Sequence, residues 1–104
     1  MDTAAPRQII VEPAIPVPRQ TELGVHGWPT WKDAVGTRSV NLDADEKSFF
    51  LAGSATLTPE GGVAVTVNAG DLVLVPAGNC TWEVHAAVRR HYRSEALSPA
   101  CCII

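Results

Sequence analysis

The sequence predicts an all-β, single-domain barrel, and three observations carry that expectation. From Arg38 onward the chain reads as short β-rich runs separated by turn residues, the layout of a sandwich or barrel. Val63, Val65 and Val67 alternate with Ala64 and Thr66, which makes one face of a strand apolar with period two. No stretch has the length or periodicity of a long helix, and no internal repeat is visible. At 104 residues the chain has room for one core and not for a second.

Residues 1–25 contain Pro6, Pro13, Pro16 and Pro18. Because proline fixes φ and removes a backbone donor, this segment is expected to be an extended N-terminal arm and not a helix, with "RQIIV" (7–11) pairing as an edge strand. The barrel is expected over 26–95 and a C-terminal tail over 96–104. Strands are expected at 37–42, 47–52, 54–58, 62–67, 72–75, 81–85 and 87–93. "TPEGG" (58–62) is a hairpin turn, with proline to start it and glycines able to take positive φ. "NAGD" (68–71) is a second tight turn. Gly53 permits a bend between adjacent strands, and Pro76 belongs where the ladder stops.

Hydrophobic residues make up 46% of the chain and charged residues 18%, which is globular composition and excludes wholesale disorder. The net charge is −3, and the longest basic block is Arg89-Arg90-His91-Tyr92-Arg93. Phosphate neutralisation needs a clustered positive face, so nucleic acid is not an expected partner. No apolar run approaches the roughly 20 residues that span a bilayer. The start, "MDTAAPRQ", lacks the layout of a secretory signal, so a cytoplasmic protein without a membrane partner is expected. Three cysteines, Cys80, Cys101 and Cys102, do not make a disulfide framework. The ending "CCII" has the outline of a prenylation box on Cys101. No polybasic stretch precedes it and Ile104 is not a typical final residue, so an unmodified apolar tail is expected.

Two motifs bear a resemblance. "GDLVLVPAG" (70–78) is similar to the second cupin motif, a glycine, five residues, then proline-any-glycine. "EKSFFLAG" (46–53) is similar to the end of the first, a glutamate, six residues, then glycine. The chain resembles a small cupin, a barrel of the RmlC-like jelly-roll type. It is most similar to the single-domain group named for the cupin domain of (S)-ureidoglycine aminohydrolase, through "GWPTWKDAVG" (27–36), "DEKSFFLAGSATLTPEGG" (45–62), "AGDLVLVPAG" (69–78), "TWEV" (81–84) and "VRRHY" (88–92).

In metal-dependent cupins the resemblance implies two histidines shortly before the glutamate and a third in the second motif. The first two positions fall within Ser39-Val40-Asn41-Leu42 and the third on Thr81, and none is histidine. A transition metal wants three or four N, O or S ligands, so no metal and no cofactor is expected. The alternative is a rearranged divalent-metal site joining Glu46 to His85 or His91. Read plainly, both are solvent-facing or hydrogen-bonded strand histidines, and His26 offers still less.

If the motif-two histidine position points inward, Thr81 and Glu83 share the inner face and Trp82 and Val84 the outer one. Related sequences carry a basic residue followed two later by tyrosine on the last strand, which implies that Arg90 and Tyr92 line the pocket. The expected ligand-binding set is therefore Glu46, Thr81, Glu83, Arg90 and Tyr92, with Trp31 covering the mouth. The competing reading of Glu46 and Arg90 is a buried ion pair that satisfies itself. Trp28 and Trp82 are expected in core packing or dimer contacts, and Cys80, with no histidine placed to activate it, as an inert small side chain.

The functional expectation is a homodimeric cupin that binds a small polar or carboxylated molecule without a typical metal site. The alternative is an enzyme, either aminohydrolase-like on a ureido or amino substrate with a rearranged metal, or metal-free and isomerase-like through acid/base chemistry. A structural or regulatory role stands beside both, because cupins host many functions.

Overall fold

A computed structural model describes residues 8–95 of the chain; the "CCII" ending lies outside them. Among the described residues seven strands form one antiparallel sheet, and no helix is long and apolar enough to cross a membrane. The strands are β1 (Ile10–Glu12), β2 (Thr30–Asp33), β3 (Gly36–Leu42), β4 (Glu46–Pro59), β5 (Val65–Asn68), β6 (Leu72–Val75) and β7 (Gly78–Ser94). The all-β single-domain expectation holds, while several element boundaries differ for identifiable reasons.

Two long strands organise everything. β4 and β7 pair with each other along their lengths. On its other edge β7 pairs first with β3, Trp82 opposite Arg38, and then with β2, Arg90 opposite Trp31. The other edge of β4 pairs with β6 near its start and with β5 near its end. Each long strand thus belongs to two half-sheets, and the bend between them folds the sheet over its own apolar face. Phe50, Ala55, Leu57, Val67, Val73, Val75, Cys80, Trp82, Val84 and Val88 are buried together inside.

The expected strands 47–52 and 54–58 are one strand, as are 81–85 and 87–93. Gly53 marks a bend, as expected, but the bend is a bulge within a continuous strand. Register shifts fall between Phe50 and Ala55 of β4, so that these six residues of β4 run against seven of β7, Val84 to Arg90. β5 begins at Val65, and Val63 is exposed.

The larger difference is at the N-terminus. Val17–Leu23 form a helix, α1, where an extended arm was expected. Pro16 is its N-cap and Pro18 sits in its first turn, where the missing N–H has no intrahelical acceptor to lose. Gly24, at φ 71°, closes the helix by donating its N–H to the Gln20 and Thr21 carbonyls. A single 3-10 turn, Val25–Gly27, follows, and Val25 is buried with Ile15, Phe49 and Leu72 on the outer face of the sheet. Ahead of the helix, β1 pairs with β6.

Asp71 latches this segment to the barrel. The Ala14 N–H donates to its Oδ1 at 2.9 Å and the Asn68 N–H to its Oδ2 at 2.8 Å. Asp71 is buried, so Asp71→Ala leaves two backbone donors without an acceptor and is expected to cost about 1–3 kcal/mol in urea unfolding. Faster exchange of the Ala14 amide in the same variant would show that the latch, and not the core, has opened.

Candidate functional site

The site follows from the phase of β7. Cys80, Trp82, Val84, Val88 and Arg90 point inward, and Thr81 and Glu83 are exposed on the outer face. This reverses the expected phase for Thr81 and Glu83, which do not join the site. Thr81 borders a separate groove with Glu60 and Asn79. The alternation of apolar Cys80, Trp82, Val84 with polar Asn79, Thr81, Glu83 carries the observed phase; the inward placement implied by the motif-two histidine position does not apply to this chain.

Arg90 is the centre. Its side chain is only 8% exposed, and it donates from Nε to Asp33 Oδ2 at 2.8 Å, and from Nη1 to Glu46 Oε1 at 3.1 Å and to Ser48 Oγ at 2.8 Å. Asp33, whose side chain is fully buried, also accepts from Arg38 Nη2. The Glu46–Arg90 pair expected from the sequence is therefore one limb of a four-charge network, two acids against two guanidiniums. Such a network offsets the desolvation cost that an isolated buried charge would carry uncompensated.

Aromatic rings frame these charges. The Arg90 guanidinium lies 4.7 Å and that of Arg38 5.8 Å from the Trp82 ring centroid. Phe50 stacks with Trp82, their centroids 6.4 Å apart. Tyr92 lies 5.7 Å from Arg90 and meets Trp31 edge-on at 6.4 Å, with Trp31 half exposed at the rim. Together Trp31, Arg38, Glu46, Trp82, Arg90 and Tyr92 line a cavity of about 410 Å³, with Val40 and Leu42 on its wall. That is the size range of a small-molecule site.

The structure thus brings together Glu46, Arg90, Tyr92 and Trp31 as expected. It adds Asp33, Arg38 and Trp82, which sequence reading missed as site residues. Arg38 could have been found only through the pairing of β3 with β7, a long-range register with no local signal.

The donor set does not fit a transition metal. Both carboxylates at the cavity end are tied to arginines, and among the described residues no three His, Cys, Asp or Glu side chains group around one point. The histidines lie elsewhere. His85 hydrogen-bonds Thr56 Oγ1 at the surface, and His91 Nδ1 donates to the Trp28 carbonyl on the outer face. His26 contacts Gln20 and the edge of the His91 ring. A rearranged site joining Glu46 to His85 or His91 is therefore not assembled. Cys80 is buried, and burial pushes its thiol up, away from the reactive thiolate form.

Comparison with known proteins agrees with this frame. The sequence pattern of a family described as the EutQ-like cupin domain matches residues 20–92. Among solved structures, a DUF861 family protein from Thermotoga maritima is similar over 84% of this chain and 99% of its own, at 32% identity and a TM-score of 0.78. A DUF1255 protein of unknown function from Acidithiobacillus ferrooxidans is similar over 61% of each chain, at 23% identity and a TM-score of 0.58. The EutQ protein of Clostridium difficile is similar over 61% of this chain and 50% of its own, at 22% identity and a TM-score of 0.54. No curated protein matches the chain.

Proposed function

For a chain that belongs to the EutQ-like cupin family, we propose that the barrel binds a small molecule carrying a carboxylate, with Arg38 as its anchor. The observation that carries this reading is the uneven use of the two guanidiniums. Arg90 is committed to Asp33, Glu46 and Ser48. Arg38 spends one nitrogen on Asp33 and makes no other hydrogen bond among the described residues, with its side chain 44% exposed on the cavity wall. A guanidinium held at one corner, with its remaining donors facing a cavity, suits a charge-assisted pair with a carboxylate. Glu46 Oε2 and the Tyr92 hydroxyl have no hydrogen-bond partner among the described residues either. They would take a donor and an acceptor elsewhere on the ligand, while Trp31 covers it.

The test is a thermal-shift and calorimetric screen of small carboxylates against their uncharged amides. At least one acid is expected to bind saturably where its amide does not. Arg38→Gln is expected to weaken that binding by about tenfold or more, the value of one hydrogen bond to a charged group. It should leave the unliganded protein folded, because Asp33 keeps Arg90. Equal binding by Arg38→Gln, or no acid that binds at all, would sink the proposal.

A second reading is catalytic, and what favours it is the placement of Glu46 and Tyr92 on the same cavity. It is metal-free acid/base chemistry on the bound acid, since the aminohydrolase-like version requires a ligand set that this barrel does not offer. Turnover unchanged in both Glu46→Gln and Tyr92→Phe would exclude it.

A further inference from the structure

Outside the cavity, the rim strand β2 (Thr30–Asp33) ends the sheet, and among the described residues it pairs only with β7. The direction of its unused groups can be worked out. The Tyr92 N–H donates to the Pro29 carbonyl at 2.9 Å, and Thr30 lies opposite His91 in the antiparallel register. In such a ladder hydrogen-bonded and non-hydrogen-bonded pairs alternate. Pro29–Tyr92 is of the first kind, so Thr30–His91 and Lys32–Arg89 are of the second. Thr30 and Lys32 therefore turn both their backbone N–H and C=O groups outward, away from β7.

The side chains at this edge are unusual as well. Lys32 and Arg89 stand directly opposite each other, both exposed, and neither has an ion-pair partner among the described residues. In a non-hydrogen-bonded pair the side chains approach most closely, and like charges there are destabilising. A lone edge lysine is a common guard against aggregation, but that role does not account for a second cation set against it. Nor does it account for half-exposed Trp31 beside them, which with Thr30, Lys32 and Arg89 borders a groove of about 360 Å³.

We propose that the β2 edge is a docking site for an extended acidic segment of a partner protein, added as a further antiparallel strand. The backbone of the segment would satisfy Thr30 and Lys32. A carboxylate on its outer face would lie beside Lys32, on the side away from Arg89, and offset the repulsion between the two cations, and the neighbouring residue, turned the other way by the strand's period of two, would be apolar and cover Trp31. The charge excludes a second copy as occupant: antiparallel pairing of β2 with itself would bring two Lys32–Arg89 pairs together with no acid between them.

The probe is a short capped peptide alternating valine and glutamate, with a valine–lysine peptide as its counterpart, titrated into the full chain by fluorescence anisotropy and amide NMR. The acidic peptide is expected to bind and to shift the Thr30 and Lys32 amides. The surface variant Lys32→Glu with Arg89→Glu should lose it by about tenfold or more and gain the basic peptide. A milder variant, Lys32→Gln with Arg89→Gln, should bind neither, and covers the case in which the charge reversal disturbs folding. The proposal is overturned if the acidic peptide does not bind, if both peptides bind the native chain equally, or if charge reversal changes nothing. It is also overturned if a single-stranded oligonucleotide binds the same amides as tightly, or if sedimentation shows a dimer that protects Thr30 and Lys32.

Discussion

Asp33→Ala is expected to lower the unfolding free energy by about 3–5 kcal/mol, the usual cost of removing one partner from a buried ion pair. Asp33 is fully buried and, among the described residues, is the only carboxylate that holds both guanidiniums, Arg90 through Oδ2 and Arg38 through Oδ1. Its removal leaves the inner arginine with Glu46 as counter-ion and the neutral Ser48 hydroxyl, and a buried charge that loses a counter-ion is destabilised far beyond the value of the contact itself. Urea unfolding with an unchanged slope would locate the effect in the native state. A control distinguishes loss of the pair from loss of packing. When Asp33→Leu is combined with Arg90→Leu and Glu46→Gln, stability should recover part of the single-variant loss, because no uncompensated charge remains inside. If Asp33→Ala costs less than about 1 kcal/mol, the network behaves as a surface pair and contributes nothing to positioning Arg38. Ligand binding gives a second readout: where Asp33→Ala remains folded, carboxylate affinity should fall with it, since Arg38 loses its tether.

The same network shows how far the sequence alone could be read. Strand content, the turns at 58–62 and 68–71 and the barrel itself were legible because they are local: alternating valines, and glycines where φ is positive. Glu46, Arg90 and Tyr92 were legible as a set through motif likeness, and Trp31 as an aromatic cover beside them. Asp33 and Arg38 were not, because their meaning depends on β2 and β3 both docking against β7, and pairing between distant segments leaves no trace in local periodicity. Thr81 and Glu83 were misplaced because a ligand position carried over from metal-binding relatives set the phase, when the apolar side chains of Cys80, Trp82 and Val84 demanded the other. α1 was missed because the prolines were read as a bar to a helix throughout the segment, although proline in the first turn costs a helix nothing.

Gly53→Ala is expected to have the larger effect, leaving the chain largely unfolded or insoluble at room temperature. Gly53 has φ of +87°, and a Cβ built there would lie 2.2 Å from the Ala87 carbonyl oxygen and 2.6 Å from that of Ala86. Both contacts are backbone atoms of the paired strand, so relief requires β4 and β7 to separate. The cost should exceed about 4 kcal/mol, a large part of the roughly 5–15 kcal/mol that holds a domain together. Gly61→Ala is the matched control: its φ is +74°, but nothing lies within 4 Å of the added methyl, so only the backbone penalty of about 1–2 kcal/mol applies. The difference between the two variants isolates the close approach from the dihedral angle. The consequence reaches the site, because the bulge shifts the inward phase of β4. Glu46, Ser48 and Phe50 face inward before it, while Ala55 and Leu57 do so after it. A strand that kept one phase through Gly53 could bury the core residues or present Glu46 to Arg90, but not both. A Gly53→Ala chain with native stability would therefore mean that the two halves of β4 are phased by something other than this bulge. The inward placement of Glu46 would then need a different cause.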